Sequence, residues 1–355
     1  MASFNEVVAT TIDDWLTHEI PNVFRKRKFL SALMEKGLVT YGHSGDQMSW
    51  VVRDTRSSLV GIDDAASLDF ARTRKRRKAR LDWRGYAATD SMTHFESLQN
   101  RGTEAKVKYI ADKAKVLFAD AKDDFCEKMY IDGNAAGNSD EIHGLDSCLG
   151  NSAASGKAAL ASDTYAGLST VLGNYGGSWT GTHPAGTGDA LYDFWSPLLV
   201  DYTHADWTAA SAWATDAVEA LRWGITHQGV RTDNELDIIL QEKTLYNDFK
   251  VLMDTKERIT TARSMDNSIL VKLGFGDVIN FDGVDCCAEQ GIPAGMAYGI
   301  PLEKDCIELL CMEDQLFKAN LEDFDISSLS TRFAVVFYGN LRLNPRELVK
   351  WQAIT

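Results

Sequence analysis

The sequence predicts an α+β protein, and three patterns carry that reading. A helical period runs from Thr103 to about Ile131, residues 37–90 alternate like half-exposed strands, and short strands dominate the last hundred residues. The chain has 355 residues, and at about 150 residues per domain it calls for two or three lobes, each able to bury a core. It is 45% hydrophobic and 25% charged, which excludes disordered, collagen-like and mucin-like chains. No window approaches the run of about 18 apolar residues that a membrane span needs. The N-terminal stretch is acidic where a signal peptide is basic, so a cytoplasmic protein with no membrane partner is expected. The six cysteines suit a reducing compartment in which thiols serve as small apolar core residues.

The first 36 residues read as one or two short helices. Val7, Val8, Ile12, Trp15 and Leu16 fall at helical spacing, Pro21 interrupts, and Val23 to Met34 resumes the pattern. So few apolar positions cannot hold a core, so this arm must lie on something else. From residue 37 the period changes to two. Met48, Trp50 and Val52 alternate with polar neighbours, as do Ala79, Leu81 and Trp83, with Lys78, Arg80, Asp82 and Arg84 on the opposite face. About 25 residues separate the two strands, too many for a tight turn. A two-stranded ribbon is marginal alone and is expected to lean on another surface.

The helix from Thr103 places Ile110, Ala114, Leu117, Phe118, Ala121, Phe125 and Met129 on one face and mixed charges on the other. At 1.5 Å per residue it is about 40 Å long, and the turn residues Gly133 to Asn138 end it. Residues 150–190, rich in Gly, Ser, Ala and Thr, read as loops and short strands. A helix near Ala209 to His227, a buried strand from Leu236 to Leu240 and a helix from Lys243 to Asp254 follow. Strands are expected at Ile269–Leu273, Val278–Phe281, Ile307–Met312 and Arg332–Leu343.

The formal net charge of −14 conceals an asymmetry. Residues 1–90 hold 15 Lys+Arg and 12 Asp+Glu, a balance of +3, whereas the remainder holds 22 and 39, a balance of −17. The cations are concentrated in two bursts, Arg25 to Lys28 and Arg72 to Arg80. Such clusters can grip nucleic acid phosphates. Here the whole chain is acidic and the second burst has no aromatic platform beyond Trp83 and Tyr86, which favours a charged contact with another protein surface.

Segments that look catalytic or ligand-binding fail on spacing. Gly150 to Ala158 approaches a phosphate-binding loop, yet the glycines stand one residue too far apart and Ala158 replaces the magnesium-holding hydroxyl. Asp132 to His143 starts like a calcium loop but has Ala136 and His143 at ligand positions. Around Ser178 the second glycine of a nucleophile elbow arrives late, at Gly181. Cys286, Cys287, Cys306 and Cys311 lack zinc-site spacing, and the seven histidines are scattered singly. No catalytic residue, cofactor or metal site is expected.

The order of segments, together with two local motifs, resembles the major capsid proteins of tailed bacteriophages, with their HK97-type fold. Asp140-Glu-Ile142-His143-Gly144-Leu145, just after the long helix, resembles the family's I-x-G-L turn. Arg342-Leu-Asn-Pro345-Arg-Glu-Leu348-Val349 resembles its closing strand. The resemblance implies an N-terminal arm (residues 1–36), an extended β-hairpin loop (37–90) and a peripheral domain with its spine helix (91–150). An axial domain (mostly 151–300) and strands returning to the peripheral domain (301–355) would follow. It implies self-assembly into hexamers and pentamers that form an icosahedral shell around double-stranded DNA, held non-specifically, in virions assembled in the host bacterial cytoplasm. A portal and a decoration protein are implied as partners. Because the arm starts directly after Met1, the expected scaffolding protein is a separate one, or none. No lysine lies between Gly37 and Arg74, so the lysine–asparagine cross-links of some family members are not expected.

Candidate inter-subunit contacts are Arg25, Lys26, Arg27 and Lys28 on the arm, with Met48, Trp50, Arg53, Arg74, Arg76, Lys78, Arg80, Leu81, Trp83 and Arg84 on the ribbon. The apolar members are expected to bury themselves against a neighbour and the cations to meet its acidic surface. Two alternatives stand beside this reading. One is an encapsulin-type cellular compartment with the same architecture. The other is a glycan-acting hydrolase using the Trp- and Gly-rich region 170–215 for sugar stacking, for which no placed carboxylate pair is found.

Overall fold

A computed structural model describes residues 27–53, 61–62, 70, 75–99, 103–171, 194–207, 212–255, 268–273, 275–321 and 329–354. Helix α1, Lys28–Glu35, buries Phe29, Leu30, Ala32 and Leu33. It stops where Gly37 takes φ +67°, letting the Leu38 N–H turn back to the Leu33 carbonyl at 2.8 Å. Strand β1, Val39–Thr40, leads into the ribbon of β2, Gln47–Arg53, and β3, Arg76–Asp82. The ribbon is antiparallel, with Met48 opposite Leu81 and Trp50 opposite Ala79. It ends at Asp82, and the next strand, β4, Arg84–Thr93, enters the body. Helix α2, His94–Gln99, precedes the long helix α3, Thr103–Lys128.

Beyond α3 come the short strands β5 (Asn151–Ser155), β6 (Ala158–Ala161), β7 (Thr164–Tyr165), β8 (Leu168–Ser169) and β9 (Leu198–Asp201). Helix α4, Trp213–Arg231, strand β10, Ile238–Gln241, and helix α5, Lys243–Thr255, follow as the periodicity predicts. The segment from Ile269, expected as a strand, is instead the helical turn α6, Ile269–Lys272. A four-residue apolar run carries no period of its own. Ser268 decides it, its Oγ accepting from the Val271 N–H at 3.2 Å as an N-terminal cap. The chain closes with β11 (Ile279–Phe281), β12 (Val284–Ala288), β13 (Met296–Ile300), β14 (Ile307–Cys311), β15 (Lys318–Leu321), β16 (Ser330–Leu343) and β17 (Val349–Gln352).

Among the described residues these strands form two main sheets. One runs β1-β14-β16-β15, with β4 also paired along β16 from Arg84–Gly339 to Thr93–Ser330. Helix α3 covers it, and Phe125 meets Phe337 at 4.5 Å between ring centroids and Phe317 edge-on at 5.4 Å. The other runs β11-β12-β10-β13-β17-β9-β6-β5. Helix α4 lies on it so closely that a Cβ at Gly224 would stand 2.5 Å from the buried Trp351 ring. Strand β17 therefore belongs to this second sheet, whereas β14, β15 and β16 lie with α3. The Pro345–Glu347 turn carries the chain between the two.

Both motifs behind the resemblance sit at junctions. The Leu145 N–H donates to the Met129 carbonyl at 2.8 Å, and the His143 N–H donates to Asn340 Oδ1 at 2.9 Å. A Cβ at Gly144 would lie 2.6 Å from the Met129 oxygen, so only glycine lets the turn close on the helix end. Arg342 stands directly across from Glu308 between β16 and β14, its guanidinium 2.8 Å from the carboxylate.

Candidate assembly surface

The ribbon has two unlike faces because its register puts all alternate residues on one side. Met48, Ala79 and Leu81 are buried, and the half-buried Trp50 ring lies 6.3 Å from Tyr165 of the body. The Arg80 N–H donates to the Ala166 carbonyl at 3.0 Å, and Trp83 Nε1 donates to the Gly45 carbonyl at 3.0 Å. The apolar face that the sequence assigns to a neighbour thus lies against the chain's own body. An isolated ribbon with such a face in water would not stay ordered.

The other face points outward. Arg53, Arg76, Lys78 and Arg80 are exposed, with Val51 among them at 64% exposure. Arg53 stands opposite Arg76, Val51 opposite Lys78, and Ser49 opposite Arg80. Like charges directly across a strand pair cost stability. The Arg53 guanidinium also lies over the Phe194 ring, at 5.9 Å.

The remaining candidates divide. Arg25, Lys26 and Arg74 lie outside the described residues. Arg84 is half-buried on β4, away from the outward comb; burial, then the Arg84 charge, pushes the nearby His143 down to about 4. Arg27 and Lys28 bind the root of the arm to the chain's own body. The Arg27 guanidinium is 3.4 Å from Asp123 and also donates to the Gln290 carbonyl, while Lys28 Nζ donates to the Ala288 carbonyl at 2.9 Å.

Sequence reasoning read the outer face of α3 as a charge mixture and missed its polarity. Three of its cations are engaged inside the subunit. Lys113 is 3.6 Å from Glu96 and donates to the Ser91 carbonyl, Lys122 is buried over the Phe118 ring, and Lys128 pairs with Glu141. Asp120, Asp124 and Glu127 stay exposed. Their spacing of four and three residues was the signal that would have found them.

The segment around Ser178 lies outside the described residues, whereas the Gly150 segment and the cysteines have structural uses. Gly150 to Ala158 is the β5–β6 hairpin, with Gly156 at φ +81° in its turn. Lys157, beside that glycine, lies over the Trp207 ring at 4.0 Å and is 3.2 Å from Glu219. All six cysteines are buried, and burial pushes the Cys126, Cys287 and Cys311 thiols up to about 12. In the region considered for sugar stacking, Trp195, Trp207 and Trp213 are buried, and the indole N–H of Trp213 donates to the Leu245 carbonyl at 2.8 Å. Among the described residues no helix is long and apolar enough to cross a membrane, and no group of His, Cys, Asp or Glu is placed to hold a metal ion.

No protein-family model matches the chain, and no curated protein does. Solved structures do. The capsid of a native GTA particle aligns with a TM-score of 0.55 at 12% identity, over 92% of this chain and 90% of its own. The capsid of cyanophage A-1(L) aligns with 0.56 at 15% identity, over 91% and 93%. The capsid of Myoviridae phage XM1 aligns with 0.50 at 12% identity, over 91% and 92%. At such identities the likeness is one of fold, and it runs nearly end to end in both directions. The chain has the α+β, HK97-type fold of these phage capsid proteins.

Proposed function

We propose, from a capsid-protein fold shared over about nine-tenths of the chain, that this protein is the major shell subunit of a tailed bacteriophage. Copies associate as hexamers and pentamers and close an icosahedral shell around double-stranded DNA, assembled in the host bacterium and carried in the virion. The match in both directions carries the reading.

The subunit's own physics suits that role. A shell needs head-to-tail contacts in which one surface meets a different surface of the next copy. The ribbon supplies a rigid row of cations on a chain of net charge −14, so every copy offers both halves of a complementary pair. Complementary charge of this kind speeds encounter and fixes register more than it adds affinity. The arm (residues 1–36), the extended loop (37–90), the spine-helix unit (91–150) and the axial unit (mostly 151–300) would take their family places. A scaffolding protein, a portal and a decoration protein would complete the particle, with DNA held only non-specifically.

Expression of the chain followed by negative-stain imaging and size exclusion tests this. Closed particles are expected, and a stable monomer under all assembly conditions overturns it. Reversing the cations from Arg74 to Arg80 to Glu is expected to stop assembly while circular dichroism stays native.

A further inference from the structure

We infer that Lys350 and Asp146 are the two halves of an internal isopeptide bond, an amide from Lys350 Nζ to Asp146 Cγ that the folded chain forms on itself. The inference goes beyond the shell reading and concerns the single subunit.

The fold brings together two groups 204 positions apart in the chain. Asp146 lies in the helical turn Leu145–Cys148 that follows α3, and Lys350 lies on β17 of the second sheet. Lys350 Nζ meets Asp146 Oδ1, and Lys350 is only 2% exposed. Burying an ion pair carries a desolvation cost that the neutral amide does not. In free solution, amide formation is also opposed by the loss of motion when two molecules join. Groups already held in contact escape that cost, and such pairs reach effective concentrations on the order of 10⁵ to 10⁸ M.

The surroundings favour the reaction. Tyr298 stands directly across from Lys350 on β13, with its ring centroid 5.8 Å from Nζ. Its hydroxyl donates to Asp146 Oδ1 at 3.4 Å, and burial keeps that phenol protonated. Two further carboxyls feel the Asp146 charge. Asp163 is pushed up to about 6, by burial first and by Asp132 and Asp146 after it, against the Thr164 N–H; Asp132 is raised as well, again chiefly by burial. The remaining titratable neighbour, Cys148, is fully buried. The site thus favours neutral groups over ionised ones. In the step itself, Lys350 Nζ gives up a proton to the Asp146 carboxylate and attacks Cγ as an amine, while the Tyr298 hydroxyl steadies the charge that builds on Oδ1. One C–N bond forms and the Cγ–Oδ2 bond breaks. Two of the three ammonium protons leave with that oxygen as water, so no oxidant or other reactant is needed. The bond would tie the turn after α3 to β17, closing a long loop of the kind whose cross-linking restricts the unfolded chain most.

Mass spectrometry of the intact, denatured full-length chain tests it. The wild type is expected to be lighter than its sequence by one water, and a protease digest should yield a branched peptide joining Lys350 to Asp146. Lys350→Arg and Asp146→Ala should each restore the full mass. A succinimide at Asp132-Gly133 or Asp282-Gly283 would also lose one water. That loss would persist in Lys350→Arg and give no branched peptide. Tyr298→Phe keeps the ring in place and should slow formation of the bond at least tenfold after refolding. A wild type of full mass, or a water loss that survives Lys350→Arg, overturns the inference. Bond formation at the wild-type rate in Tyr298→Phe overturns the part given to the phenol. None of these results depends on particles, so failure of the shell reading would show separately, as absence of assembly.

Discussion

Glu289 accepts a hydrogen bond from the backbone N–H of Lys28 at 2.9 Å, so a residue following β12 caps a helix 261 positions earlier in the chain. Arg27 provides no side-chain cap of its own. The contact fastens the root of the arm to the larger sheet, and it does so with a carboxyl group that is only 6% exposed.

That burial sets a pH dependence. The Glu289 carboxyl is pushed up from 4.5 to about 7, chiefly by desolvation, against the opposing pull of the Lys28 N–H and charge. The folded state therefore holds this proton more tightly than the unfolded chain does. The resulting stability is fully present below the ordinary carboxylate value and is lost as pH rises through about 7. Denaturant titration of the unassembled subunit at several pH values should show a decline on the order of 3 kcal/mol across that window. Glu289→Gln keeps an acceptor for Lys28 and should flatten it. An unchanged slope in the variant assigns the effect to another group.

Two glycines of α4 should respond to alanine with opposite signs. Alanine gains about 1 kcal/mol over glycine inside a helix. At Gly229 nothing lies within 4 Å of the new methyl, so Gly229→Ala should stabilise by up to about that amount. At Gly224 the methyl would meet the Trp351 ring at 2.5 Å, and that ring is fully buried with its N–H tied to the Ala220 carbonyl at 2.9 Å. Overpacking of about 1–3 kcal/mol then offsets or outweighs the helix gain, so Gly224→Ala should lose up to about 2 kcal/mol in thermal or chemical melts. A stabilised Gly224→Ala protein would mean that the helix can lift off the sheet.

The sequence made some of this legible and hid the rest for identifiable reasons. The ribbon strands and α3 were readable because each has one wet face, which leaves a period. Strand β12, Val284–Ala288, and strand β17, Val349–Gln352, were not assigned because both of their faces are covered and no alternation survives. Ile269–Lys272 was misassigned because its cap, Ser268, is bound by Asp285 from a distant strand, at 2.5 Å. At the candidate surface, the positions of Arg76, Lys78 and Arg80 followed from alternation alone. The fate of Met48 and Leu81 did not, since choosing between the chain's own body and a neighbour depends on where Tyr165 and Ala166 fold. The acidic edge of α3 was hidden because Lys113, Lys122 and Lys128 look free until their tertiary partners are known.

The cross-strand pair of Arg342 and Glu308 should matter more for stability than an exposed ion pair. Glu308 is 3% exposed and also receives Thr40 Oγ1 at 3.2 Å, with Lys304 Nζ at 3.5 Å. Arg342→Met would leave that carboxylate with only the well-exposed Lys304 for charge, and should cost about 2–3 kcal/mol. Adding Glu308→Gln removes the stranded charge and should recover most of the loss. A double variant no better than the single one would show that the arginine acts through packing of its stem.

Assembly itself should be salt-sensitive if outward cations of the ribbon drive encounter. The screening length falls from about 10 Å at 0.1 M salt to about 3 Å at 1 M. Attraction between Arg76, Lys78 and Arg80 and an acidic neighbour is then felt only near contact, so the rate of particle growth followed by light scattering should drop about tenfold or more over that range. The buried ribbon face predicts something further. Because Met48, Ala79 and Leu81 pack inside the subunit, high salt should slow assembly without unfolding the ribbon, and tryptophan fluorescence from Trp50 and Trp83 should stay constant. A variant carrying Gln at the three cationic positions should assemble slowly and lose most of the salt dependence. If that variant keeps the wild-type salt response, the charges that govern encounter lie elsewhere on the chain.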